Sequence, residues 1–113
     1  MTASPTLELG LQAEAVAKPG GAHLRITLSL TNTGQEPLAP GIFASELLVD
    51  GQPDPGWRLA LNGTMGPELV ELPPGRTAEL TRELRGAALT PGSHRVAVRL
   101  GGQTTPSVAV RAS

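Results

Sequence analysis

Five Pro-Gly dipeptides divide this 113-residue chain, at Pro19-Gly20, Pro40-Gly41, Pro55-Gly56, Pro74-Gly75 and Pro91-Gly92, and a mostly apolar run follows each within a few residues. Proline sets φ near −65° at the first central position of a turn, and glycine accepts the positive φ that a type II turn requires next. A chain punctuated in this way folds from short segments that reverse on one another. Between the turns the apolar residues recur with a period of two. Leu7, Leu9, Leu11, Ala13 and Ala15 alternate with Glu8, Gln12 and Glu14, and Leu24, Ile26, Leu28 and Leu30 alternate with His23, Arg25, Thr27, Ser29 and Thr31. Successive side chains of a strand point to opposite faces, so each run predicts a strand with one buried and one solvated side.

The remaining runs extend the pattern. Ile42 to Asp50 is apolar on both parities over Leu47, Leu48 and Val49, as in a strand covered on both faces or bulged. After the Pro- and Gly-rich loop from Asp50 to Gly56, Trp57, Leu59 and Leu61 alternate with Arg58 and Ala60, which predicts a hairpin with that third strand. A short strand is expected near Leu69 to Leu72. Thr77 to Arg85 is made of good helix formers, yet Ala78, Leu80 and Leu84 fit a strand and turns flank the segment, so strand is the reading, with Arg82 on the inward side. Val96, Val98 and Leu100, then Val108 and Val110, supply the last strands. The expectation is an all-β fold, an immunoglobulin-like antiparallel β-sandwich of seven or eight strands spanning residues 6–112, with residues 1–5 as a flexible tail. The Cys and Tyr landmarks of antibody domains are missing, so only the architecture carries over.

Composition narrows the function classes. A single domain of this size buries roughly two-thirds of the surface its unfolded chain exposes, and with one Trp, one Phe and no Tyr that core is mostly Leu, Val and Ala. Nine basic and ten acidic residues, mixed along the chain, give a net charge of −1 and no field that gathers nucleic acid or anionic lipid. No cysteine is present, which excludes disulfides and thiolate metal sites. The first residues lack the charged start and apolar stretch of a signal peptide, and no run is long enough to span a membrane, so the expected compartment is the cytoplasm, or the cell exterior if the chain is excised from a larger protein. Arg outnumbers Lys eight to one amid abundant Ala, Gly and Pro, a composition associated with GC-rich bacterial genomes.

Catalytic constellations are absent from the sequence. His23 and His94 each begin a strand, but His94 is in phase with the apolar set and His23 out of phase, so the two rings point to different sides and no metal site is expected. Ser93 and His94 are strand neighbours that project to opposite faces. Asp50 and Asp54 offer too few oxygens for calcium and are read as turn formers. Asn62-Gly63-Thr64 reads as a turn rather than a glycosylation acceptor, no phosphate-binding glycine loop occurs, and Glu8, Glu14, Glu79 and Glu83 lie on predicted solvent faces. No catalytic residue and no cofactor is therefore expected. Trp57 has two readings: a core anchor, or an interface anchor beside the loop that precedes it.

Read from Leu24 to Gly101, the order of features resembles the bacterial intracellular proteinase inhibitor family, the BsuPI-like proteins. The pieces are Leu28-Ser29-Leu30-Thr31-Asn32-Thr33, Leu48-Val49-Asp50-Gly51, Trp57-Arg58, Leu72-Pro73-Pro74-Gly75 and Thr90-Pro91-Gly92-Ser93-His94. They cover about two-thirds of the chain, and Trp-Arg after the Asp-Gly loop is the most distinctive. Most of the family's strand aromatics are missing. The resemblance implies an immunoglobulin-like fold and a cytoplasmic, non-enzymatic role.

The functional expectation is a protein-interaction module, an inhibitor or regulator of the BsuPI-like kind, with an unidentified protein such as a serine protease as its partner. The contact surface is expected on the loops Gly51 to Gly56 and Asn62 to Pro67, with Asp50, Asp54, Trp57, Arg58, Asn62 and Met65 as candidate contact residues. The rival reading is a structural or accessory spacer domain of a larger cell-surface or carbohydrate-processing protein. Edge strands leave open a monomer or a weak homo-oligomer.

Overall fold

The structure, a computed structural model, describes residues 7–19, 21–61, 67–85 and 90–112. Eight strands run through them: β1 (Leu7–Lys18), β2 (Gly21–Asn32), β3 (Glu46–Val49), β4 (Gln52–Pro53), β5 (Thr77–Arg85), β6 (Gly92–Leu100), β7 (Gln103–Thr104) and β8 (Val108–Ala112). A 3-10 turn at Ile42–Ala44 precedes β3, and two short helices, α1 (Gly56–Ala60) and α2 (Pro67–Val70), connect β4 to β5. The strands form two antiparallel sheets, one ordered β1-β2-β5 and the other β4-β3-β6 with β7 and β8 both on β6. The chain is an all-β sandwich.

β2 organises the first sheet. It pairs along its whole length with β1, from Leu7 opposite Asn32 to Lys18 opposite Gly21, and with β5 from His23 opposite Arg85 to Thr31 opposite Thr77. Its Leu24, Ile26, Leu28 and Leu30 are fully buried against Leu47, Val96, Val98 and Leu100 of the second sheet. Each such side chain contributes about 1.5–3 kcal/mol by leaving water. The alternation read from the sequence is thus the physical seam between the layers. The opposite face of β2 is polar, with Thr27 and Thr31 hydrogen-bonded to Thr81 and Thr77 of β5. Glu83 of β5 gathers Lys18, His23 and Arg25 around one carboxylate, and Arg25 also reaches Glu14 of β1. Lys18 first, with Arg25 and His23, holds the Glu83 carboxyl below the usual range.

Thr77–Arg85 is a strand, and the half-buried Arg82 lies on its inward parity opposite Ile26, with its guanidinium folded back onto the Thr81 carbonyl. Three other expectations are corrected. Trp57 to Leu61 is not a hairpin strand: Gly56–Ala60 is helical, with Trp57 and Leu61 buried one turn apart. Leu69 to Leu72 is not a strand either, since Pro67–Val70 is α2 and only Leu72 pairs, in a single bridge to Leu38. The third run contributes only Glu46–Val49, because Ile42–Ala44 coils first.

The Pro-Gly steps divide in the same way. Gly41 and Gly75 take left-handed φ of 69° and 74°, as turns require. Pro55 instead sits in the right-handed helical region (φ −65°, ψ −19°) and starts α1. Proline's fixed φ suits a helix's first turn as well as a β-turn. Gly20 lies outside the described residues.

Candidate functional site

The segment from Asp50 to Leu61 carries the residues that the sequence pointed to. Asp50 and Gly51 are the two central residues of the β3–β4 hairpin, both with positive φ (52° and 83°), while Val49 pairs with Gln52. Asp-Gly is favoured in this primed turn because its backbone twist matches that of the strands. The Asp50 side chain then turns across to β6. Oδ1 accepts the Arg95 backbone N–H at 2.9 Å, and Oδ2 lies 2.6 Å from His94 Nδ1.

His94 is 8% exposed. Its second nitrogen, Nε2, lies 2.6 Å from the Thr90 carbonyl oxygen. A carboxylate and a carbonyl can only accept, so this geometry favours the charged ring, in which both nitrogens donate. The geometry agrees with the electrostatics: Asp50 first and the Thr90 carbonyl second raise the His94 pKa, with burial opposing them. The His94 hydrogen bond and the Arg95 N–H in turn lower that of Asp50. The pair clamps the β3–β4 turn to the start of β6. Both ring nitrogens are engaged, one by Asp50 and the other by the Thr90 carbonyl.

After β4 the chain enters α1 through Asp54. Its Oδ1 accepts the Gly56 N–H at 2.8 Å and its carbonyl accepts the Trp57 N–H at 3.2 Å, which is how a helix start satisfies its free donors. Trp57 is 1% exposed and donates from Nε1 to Ser45 Oγ at 2.9 Å, while Ser45 Oγ donates to the Ile42 carbonyl. Leu61, one turn on, is also buried. These two anchors fix the helix, and Arg58 and Leu59 face outward, with Leu59 74% exposed. Ser45, Glu46, Pro53, Asp54, Pro55, Trp57 and Arg58 border a shallow hollow of about 390 Å³ beside the helix.

Of the six residues selected from the sequence, the structure joins four on this segment and divides their roles. Asp50 and Asp54 are turn and helix-start residues, as their types suggested. Trp57 is the core anchor of its two readings, so its ring is not available to a partner. Arg58 is exposed. Asn62 and Met65 lie outside the described residues.

Two features escaped sequence reasoning. Alternation places Leu59 on a buried strand face beside Trp57, and only the Asp-Pro helix start and the Trp57–Leu61 spacing point to the helix that turns it outward. Asn32, a residue type that favours turns, ends β2 fully buried, donating from Nδ2 to the carbonyls of Glu36 and Leu72 while Oδ1 accepts the Gly34 N–H. It latches three segments at one end of the sandwich.

Among the described residues no three His, Asp or Glu side chains are placed to share a metal ion, and no helix is long and apolar enough to cross a membrane. No protein-family model and no curated protein matches the chain.

Proposed function

We propose that this chain is a non-catalytic protein-interaction module, an inhibitor or regulator of the BsuPI-like kind, whose contact surface is the outer face of α1 with the β3–β4 turn beside it. The observation that supports this reading is the division of labour on α1: Trp57 and Leu61 hold the helix in the core, and Arg58 and Leu59 are presented to solvent. A contact surface fixed in advance loses little conformational entropy on binding, and loops on a rigid scaffold vary without disturbing the core. Arg is among the residue types enriched at binding hot spots. The polar groups that elsewhere perform catalysis are committed here to structural hydrogen bonds, His94 and Asp50 to each other and to the backbone. The partner class is a serine protease.

Titration of a subtilisin-type protease with the full chain tests the proposal. The expected result is stoichiometric loss of peptide hydrolysis with the chain intact, relieved by Arg58→Glu with Leu59→Asp. Rapid degradation of the chain with no loss of protease activity refutes it.

A further inference from the structure

We propose that β1 is a self-association edge, along which two copies of this chain pair antiparallel, β1 against β1, about a two-fold axis at Ala13. This interface is separate from the α1 surface and does not depend on the function proposed for it.

The sheet edges are unequally protected. β5, at one side of the first sheet, has α1 packed against it. β4 is two residues long and contains Pro53, which lacks the N–H that a ladder needs. β8 is five residues long, and it and β1 lie against each other at that side of the sandwich without a ladder between them. β1 is twelve residues long, has no proline and carries no charge on its inward face, and it keeps one row of backbone groups facing away from β2. Natural sheets rarely leave such a long edge unpaired, because it is a template for another strand. Among the described residues its only polar cover is at the end, where Gln103 Nε2 donates to the Leu7 carbonyl. Its inward leucines, Leu7, Leu9 and Leu11, remain only half-buried while those of β2 are fully buried, so apolar surface along this rim awaits a cover.

Charge selects the occupant and the register. With Ala13 on the axis, Glu8 of each copy stands opposite Lys18 of the other, Gln12 opposite Glu14, Leu9 opposite Ala17 and Leu11 opposite Ala15. Moving the axis to Leu11 sets Glu8 against Glu14, and moving it to Glu14 sets that carboxylate against its own copy, both unfavourable directly across a ladder. An axis at Gln12 leaves Glu8 opposite Val16. An axis at Val16 sets Glu14 opposite Lys18 but overlaps the strands only over residues 14–18, whereas the Ala13 register pairs opposite charges over residues 8–18 and joins the two three-stranded sheets into one of six strands. Glu8 is exposed and has no ion-pair partner among the described residues, so the contact costs no existing one on that side. Lys18, 3.3 Å from Glu83 in its own chain, has three donors to share.

Sedimentation velocity of the full chain, from micromolar to millimolar concentration, tests the proposal through a charge-reversal cycle. The wild type is expected to show a reversible dimer. Glu8→Lys and Lys18→Glu are each expected to weaken it about tenfold, since two symmetry-related contacts change sign at once. The double variant E8K/K18E is expected to recover most of the loss. Thermal melts establish that each variant is folded. Glu8 has no ion pair to lose, so Glu8→Lys tests the register even if Lys18→Glu, which sets a carboxylate beside Glu83, does not fold. A chain that stays monomeric at every concentration overturns the proposal, and so does a dimer indifferent to the single reversals or unrestored by the double one.

Discussion

Asp50 and the Thr90 carbonyl favour the charged form of His94, and that fixes a pH dependence of stability. The folded-state pKa of His94 is raised, so its contribution is fully present below the unfolded value of about 6.5 and is lost as pH rises through the folded value. That of Asp50 is lowered, so its contribution is present above the unfolded value of about 3.9 and is lost as pH falls through the folded value. The clamp is therefore strongest between these two unfolded values, and the melting temperature of the wild type is expected to decline from pH 6 towards pH 9. His94→Gln should flatten that decline. Asp50→Asn should flatten it too, while keeping a residue type that tolerates the left-handed turn conformation. A profile that stays steep in both variants would place the titrating group elsewhere. Asn32 makes a second residue-scale prediction: Asn32→Ala removes the side-chain donor from the Glu36 carbonyl and the acceptor from the Gly34 N–H, and leaves the Leu72 carbonyl only its bond from the Leu38 N–H, so urea unfolding should show a loss of about 2–3 kcal/mol. Neither residue was legible in these roles from sequence. Apolar periodicity reveals which face of a strand is buried, but a polar latch or a charge clamp has no period, and its partners are supplied by other strands.

At the scale of elements, α1 depends on one large anchor. Trp57→Ala removes the indole from the core and its hydrogen bond to Ser45, and should destabilise the protein by about 3–5 kcal/mol in denaturant unfolding. Trp57 is the only tryptophan, so its emission should be blue-shifted in the native state and report α1 and the core together. Asp54→Ala, which removes the carboxylate from the helix start, should cost about 1 kcal/mol. Long strands were legible because their alternation has many repeats: over Leu24 to Leu30 no helical spacing fits equally well. Short elements were not. A separation of four residues, as between Trp57 and Leu61, is an even number of strand steps and also about one helical turn, so the pattern alone cannot separate them. Leu59 decides, because a strand would bury it beside Trp57 and the helix turns it to solvent. Leu69 and Leu72 misled in the same way, their apolar character being real and their period too short to measure. Thr77 to Arg85 resolves the other way: its helix-forming residues yield to the unpaired side of β2, which ordered nine of them as a strand.

Across the whole molecule the two layers are held by central strands with partners on both sides, and local stability should follow that arrangement. Amides of β2 and β6 are expected to exchange only through global unfolding, whereas the β1 amides on its free edge should exchange much faster in dilute solution and become protected as the concentration rises. Edge amides that exchange at the same rate in dilute and concentrated samples would argue against strand pairing there. The helical connector beside β5 has a consequence of its own for assembly. A sandwich bare on both sides of one sheet can add copies without limit, each new copy exposing the same row of peptide groups that the last one covered. Here α1 packs against β5 on the far side, so among the described residues β1 is the longest row without such a cover, and the pairing proposed for it would use that row up and stop at a closed pair instead of continuing into a fibre.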